Sequence, residues 1–428
     1  MGRCVSAVFG AIVLSACARV ASPPTLTLAV PDRASANVSI AATGDVVAVA
    51  WGAATESGAT DIYSAVSRDA GRTFAAPVRV SSAAGAQISG EQPPRVALAL
   101  NPRAEPSVVV VWTARSTSGT RLVMSRSGDG GRSFAHEATV QGSDAPGNRG
   151  WEAAAVDRDG HVAAIWLDHR ELAESSSSAM PMHHEGQAHS AHGAATDGAS
   201  RAQSSKLYFG LLDSSEAPRA VTGGVCYCCK TALAAGADGS LFAAWRHVYP
   251  GNIRDIAFTL SRDGGRTFST PTRVSEDKWV LDGCPENGPA MAIGPQGRIH
   301  LVWPTLVSGA TAESEPTLAL FYSTSDDGVH FAERQRLTTE GTPGHVQIAI
   351  NAADGALLVV WDELKDGARR AVAARGVPDA TGRVPFVREQ MAPVGSAYPV
   401  VASTGNGFVR GWTDTSRTPS VIVIQPVP

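Results

Sequence analysis

The 428-residue sequence predicts an all-β fold, a β-propeller of seven four-stranded blades. Three observations lead there. Short apolar runs ending in tryptophan recur along the chain, a turn-like octapeptide recurs between them, and a spare strand stands ahead of the first complete unit. The 43 glycines and 26 prolines, with few long helical patterns, fit many short strands joined by turns.

The runs read VVAVAW, SVVVVW, HVAAIW, SLFAAW, RIHLVW, ALLVVW and GFVRGW, ending at Trp51, Trp112, Trp166, Trp245, Trp303, Trp361 and Trp412. Their spacings are 61, 54, 79, 58, 58 and 51 residues. Each is a short β-branched and apolar segment bounded by Gly, Asp or Asn, which reads as a buried strand. Seven copies imply seven blades; six is the alternative count. Each unit parses into four strands, in the second unit RVALAL, SVVVVW, TRLVMS and HEATV. The last unit lacks its fourth strand, and TLTLAV (Thr25 to Val30) supplies it. Pairing the N-terminal strand with the last blade closes the ring and covers the sheet edges. Residues 25–428 therefore read as one domain.

The octapeptides are SRDAGRTF (Ser67 to Phe74), SGDGGRSF (Ser127 to Phe134) and SRDGGRTF (Ser261 to Phe268), with TSDDGVHF (Thr324 to Phe331) as a degraded fourth. Asp69, Asp129, Asp263 and Asp326 are expected to accept hydrogen bonds from turn N–H groups. The glycine allows positive φ, and the aromatic fills the space between neighbouring sheets. The motif resembles the Asp-box, or BNR repeat, of the sialidase superfamily, and the resemblance spans almost all of residues 25–428. It implies fold rather than activity. Sialidases carry an arginine triad, a tyrosine nucleophile paired with glutamate, an aspartate acid/base and an early Arg-Ile-Pro motif. No Arg-Ile-Pro occurs here, although Arg33 in PDRASAN lies about where its arginine would fall. Arg149, Arg170 and Arg246, with Glu152, Asp168 and Tyr398, are the residues available to a sialidase-like glycoside hydrolase. No spacing ties them together, so no catalytic residue is assigned.

The N-terminus, MGRCVSAVFGAIVLSAC, has Arg3, an apolar run from about Val5 to Leu14, then Leu14-Ser15-Ala16-Cys17. It resembles a bacterial lipoprotein signal, which implies a signal peptide over 1–16, lipidation at Cys17 and a linker over 17–24. The run falls short of the roughly 20 residues of a membrane-spanning helix. With Ala18 after the cysteine, the resemblance implies an outer-membrane lipoprotein facing the oxidising periplasm, its membrane contact made through the lipid anchor. A formal net charge of −4 gives no reason to expect a nucleic-acid partner, and no Lys/Arg cluster argues otherwise.

Beyond Cys17 four cysteines remain: Cys226, Cys228 and Cys229 in GGVCYCCKTALAA, and Cys284 in GCPENGP. In an up-and-down blade, the loop after strand two and the loop entering the next strand one open on one face, and the Asp-box on the other. The first face collects His169 in LDHR, His247 in RHVY, Asp362, Glu363, Glu91, Asn148, Arg149, Gly344, His345 and both cysteine loops. Those loops enter the fourth and fifth blades, so Cys284 is expected beside the other three. A Ser/Ala/Gly-rich insertion at about 172–205 leaves from the same face and carries Met180, Met182, His183, His184, His189 and His192. Thiolate and thioether favour Cu(I), and imidazole suits Cu(II) and Zn(II). The sequence thus points to copper held by Cys226, Cys228, Cys229 and Cys284 with His169, His247 or His345, and gathered by the Met180–His192 tract. A periplasmic protein or cuproprotein is the implied partner. The alternatives are a four-thiolate zinc site, thiol redox catalysis, or two disulfides worth roughly 2–4 kcal/mol each on a face that binds protein or glycan. Among disulfides, Cys228 to Cys229 is strained, which favours Cys226 or Cys228 to Cys284.

Overall fold

The computed structural model describes residues 25–83, 85–99, 105–172, 198–308, 315–379, 382–405 and 407–428. Residues 1–24, with Cys17, and the tract holding Met180, Met182, His183, His184, His189 and His192 lie outside the described residues. The strands form seven four-stranded antiparallel sheets, the seven-bladed propeller the tryptophan runs imply. Blade one runs Ala34–Thr43, Val46–Ala54, Thr60–Ser67 and Val78–Arg79, each strand bonded to the next. Blade seven takes three strands from Ser396–Thr404, Gly407–Asp414 and Val421–Val427 and its fourth from Leu26–Leu28. That closing pair has Leu26 opposite Ile424 and Leu28 opposite Ile422.

Each interface between neighbouring blades holds one apolar cluster, and each cluster contains one tryptophan of the repeat. Trp112 packs with Ile62 and Val66 of blade one, Trp361 with Val302 and Leu320 of blade five, and Trp51 with Val409 and Ile422 of blade seven. Six of the seven tryptophans are at most 1% exposed, and Trp412 is 4% exposed. A side chain of this size filling an inter-sheet seam contributes several kcal/mol, which is why the repeat keeps Trp at the end of strand two.

The Asp-boxes brace the same seams from the opposite rim. In the first, Ser67 Oγ donates to Asp69 Oδ1 (2.7 Å), and Asp69 accepts from Thr73 N (2.8 Å) and Thr73 Oγ1 (2.6 Å). Gly71, at φ +82°, lies against Val409 of blade seven so closely that a Cβ would fall 2.9 Å from its side chain. Gly131 and Gly265 approach Val66 and Phe209 of their preceding blades in the same way. Phe74, Phe134, Phe268 and Phe331 pack into the adjoining clusters.

The fourth box corrects the expectation for Asp326. Asp327 is the turn acceptor: Ser325 Oγ donates to it (3.1 Å), as do the N–H groups of Val329 and His330, both at 2.8 Å. Asp326 instead faces Arg298 (2.7 Å). The box has lost one residue, so its glycine, Gly328, follows the serine by three positions, and His330 Nδ1 (2.7 Å from Asp327) replaces the missing hydroxyl. Aligning the box on Thr324 shifts the aspartate by one.

Replacing Trp361 by Ala is expected to cost about 3–5 kcal/mol in chemical unfolding. Asp327→Ala should lower the thermal midpoint measurably while Asp326→Ala leaves it within error; the reverse order would contradict the reassigned box.

Candidate functional site

The loops that enter blades four and five bring the cysteines together. Gly224, at φ +68°, turns the chain out of blade three, and Cys226 N donates to Arg246 O (2.9 Å) at the end of the blade-four tryptophan strand. A tight turn over Tyr227 and Cys228 then folds the Cys-x-x-Cys segment back on itself. Cys228 is disulfide-bonded to Cys284, with Cα atoms 6.1 Å apart, and Cys226 and Cys229 are free. The Sγ atoms of Cys226, Cys228 and Cys229 lie within 4.8 Å of one another. The free pair is 2.7 Å apart, and Cys226 stands 3.8 Å from Cys228. Cys226 and Cys229 are 1% and 2% exposed; Cys284 is half-buried.

Two buried arginines underlie these sulfurs. Arg254 donates to Leu281 O (2.7 Å), to Asn252 Oδ1 (3.3 Å) and to Cys226 Sγ (3.5 Å), with no carboxylate partner among the described residues. Arg246 spends its guanidinium on the carbonyls of Asn287, Arg254 and Pro304 and stacks on Trp279. A buried cation without a carboxylate favours an anion nearby, and Cys226 is the group that can supply it. Burial opposes ionisation of Cys226, yet the Cys229 thiol, Arg254, the Cys228 N–H and Arg246 bring its pKa down to about 7. Burial and the neighbouring Cys226 push Cys229 well above the ordinary thiol range. The pair therefore shares one proton near neutral pH.

Both ends of the insertion land on this cluster. Leu172, where the described chain stops, packs against it together with Trp151. The six-residue helix Gly198–Gln203, where the chain resumes, sets the Arg201 guanidinium 4.8 Å over the Tyr227 ring.

His169 and His247 stand outside the ligand group, which among the described residues comprises the three sulfurs. His247 Nδ1 accepts from the Trp245 indole (3.3 Å), and its ring packs on Tyr249. His169 is 2% exposed, stacks on Trp151 at 5.5 Å, and has both ring nitrogens without a hydrogen-bond partner among the described residues. Burial drives the pKa of each imidazole down to about 4, so both are neutral and retain a lone pair.

A second polar cluster sits at the mouth of the axial channel. The first strands of blades one, three, six and seven each carry a register shift, and Asn37, Trp151, His345 and Tyr398 there adopt φ of 52° to 58°. Such bulges re-aim side chains at a cost of about 1–3 kcal/mol each for non-glycine residues. They turn His345 and Tyr398 toward a small cleft that adjoins an axial cavity of about 150 Å³, the two sharing Arg95 and Lys230 in their walls. His345 Nδ1 lies 2.9 Å from Asp362, and its Nε2 lies 3.7 Å from Glu91. Lys230 Nζ donates to Val346 O (2.6 Å), and burial lowers its pKa to about 8. The sequence placed Glu91, His345 and Asp362 on this face but gave no sign of their convergence, because the bulges that produce it have no sequence signature here.

The residues named for a sialidase do not assemble as an open triad. Arg149 is fully buried on Asp168 (3.1 Å) and on the carbonyls of Pro146 and Gly147. Arg170 also pairs with Asp168 (2.7 Å) and covers Tyr208, and Arg246 is committed as described. Glu152 is 1% exposed and accepts from Thr113 (3.1 Å).

No protein-family model matches the sequence, and no curated protein matches it. Solved structures do resemble the fold. The GH93 α-L-arabinofuranosidase of Fusarium graminearum, in complex with arabinobiose, superposes with a TM-score of 0.50 at 10% identity, over 95% of this chain and 97% of that one. An ulvan lyase of family PL25 gives 0.53 at 8% identity, over 91% and 93%. A Hadza microbial sialidase gives 0.47 at 13% identity, over 86% and 73%. At these identities the likeness is one of fold alone.

Burial works against a charge on His345, but Asp362 and Glu91 raise its pKa above the ordinary value. A raised histidine contributes stability fully present below about pH 6.5 and lost as pH rises through its folded value. The gap in unfolding free energy between the native protein and His345→Asn, a residue that tolerates positive φ, should therefore be larger at low pH than at high pH. A pH-independent gap would contradict the assignment.

Proposed function

We propose that this protein is an exported, lipid-anchored propeller at the outer membrane that binds a soft metal ion, Cu(I), from the periplasm through Cys226 and Cys229. The observation that carries the proposal is two free, buried thiols facing each other beside a guanidinium that has no carboxylate partner among the described residues. Thiolates of this kind prefer Cu(I) among biological metals. With Cys228 and Cys284 joined, the ligand set narrows from the four sulfurs expected to the free pair. A metal–sulfur bond of about 2.3 Å puts two sulfurs on a tetrahedral ion about 3.8 Å apart, whereas a disulfide needs about 2.05 Å. The observed 2.7 Å lies between, so metal entry opens the pair by roughly 1 Å. His169, neutral and without a hydrogen-bond partner among the described residues, is a candidate for a third donor, and His247 would serve as an outer group. Met180, Met182, His183, His184, His189 and His192 would collect the ion, since the chain enters and leaves that tract at the thiol cluster.

A second reading, saccharide binding at the channel mouth, is favoured by His345 and Lys230 in the wall of the cleft, with Asp362 and Glu91 behind His345. It requires no metal and leaves the thiols structural.

Metal-stripped protein titrated anaerobically against the Cu(I) complex of bicinchoninate tests the main reading. The native protein should withdraw a single equivalent. Cys226→Ser or Cys229→Ser should weaken binding by at least about tenfold, roughly 1.4 kcal/mol, while His345→Asn leaves it unchanged. Undiminished withdrawal by the folded double variant would overturn the proposal.

A further inference from the structure

Cys226 occupies a position that metal binding does not explain. It lies 2.7 Å from the free Cys229 on one side and 3.8 Å from the bonded Cys228 on the other. A free, buried sulfur within reach of a disulfide sulfur is the starting arrangement for thiol–disulfide exchange. The cation at 3.5 Å faces Cys226 rather than Cys229, which makes Cys226 the attacking member of the pair.

We infer that the four sulfurs form an internal disulfide relay, in which the bond between Cys228 and Cys284 moves to Cys226 and Cys229. In the first step the Cys226 thiolate attacks Cys228 Sγ. The Cys226–Cys228 bond forms as the Cys228–Cys284 bond breaks, and the electron pair leaves on Cys284. In the second step Cys229 gives up its proton to the departing thiolate and attacks Cys226 Sγ. The Cys226–Cys229 bond forms as the Cys226–Cys228 bond breaks, with Cys228 leaving as the thiolate. One disulfide and two reduced sulfurs are present throughout, so no external oxidant or reductant is consumed.

The relay changes which sulfurs meet solvent. Before it, the reduced sulfurs are the sealed Cys226 and Cys229; after it, they are Cys228 and the half-buried Cys284. The loop entering blade five is then tied to blade four by packing and by the hydrogen bonds from Arg254 to Leu281 O and from Arg246 to Asn287 O, and Cys284 becomes the point at which a small disulfide or thiol from outside can react. The same sulfurs serve the Cu(I) proposal, but the relay needs no metal and stands or falls separately.

The test uses the full chain in the presence of a copper chelator, exposed at neutral pH to limiting iodoacetamide, with alkylated and cross-linked peptides mapped without reduction. The native protein should acquire label on Cys284 over time, with Cys226 recovered in a link to Cys228 or Cys229. Cys226→Ser should slow labelling of Cys284 by at least about tenfold. Cys229→Ser, which permits only the first step, should accumulate the Cys226–Cys228 link with Cys284 labelled, and it decides the matter if Cys226→Ser does not fold. Cys284 labelled at equal rates in the native protein and Cys226→Ser, or never labelled while the Cys228–Cys284 link persists in Cys229→Ser, would overturn the relay. Because copper is sequestered, failure of metal binding leaves every one of these outcomes readable.

Discussion

Strands from opposite ends of the described chain, Leu26–Leu28 and Val421–Val427, pair to complete blade seven, and everything else in the molecule depends on that closure. A ring of sheets has no edge to expose and no freedom to splay. Once it is shut, each tryptophan is held in the seam with the preceding blade, and the seven first strands converge on one axis. Two loops whose cysteines are 56 residues apart in sequence then meet at a disulfide because they enter neighbouring blades. The site is a consequence of the ring rather than of any local motif.

What the ring gathers is chemically uneven. Arginines that sequence alone makes look available for an anionic substrate are spent on backbone carbonyls and on Asp168, where they hold loops in place. Arg254 differs, since among the described residues it bonds to a sulfur and to neutral oxygens and to no carboxylate. A buried guanidinium is costly unless something of opposite charge balances it, and here that balance makes one thiol of a close pair acidic. The proposed metal capture and the proposed disulfide exchange both draw on that one thiolate, whose charge the scaffold's guanidinium favours.

Much of the fold was legible because propellers repeat. The tryptophan at the end of each second strand marks a seam that only a large apolar side chain fills, so its recurrence reads directly as blade number. The Asp-box was legible where its length was kept and misread where one residue was lost, since the serine, not the motif's first letter, anchors the turn. The proximity of Cys284 to Cys228 followed from blade order, but which sulfur bonds to which depends on a few ångströms of loop geometry that composition does not encode. The positive φ values of His345 and Tyr398 were likewise hidden, because non-glycine residues reach that region only when surrounding structure compels them.

The central claim is that one disulfide and two free thiols coexist at this site. Metal-stripped native protein, denatured without reductant in excess iodoacetamide and mapped by mass, tests it most directly by counting modified sulfurs among Cys226, Cys228, Cys229 and Cys284. Two modified sulfurs is the expected result, whichever pair carries the bond at that moment. None modified would mean a second disulfide has closed the pair, and four modified would mean the bond between the loops does not form; either would contradict the site described.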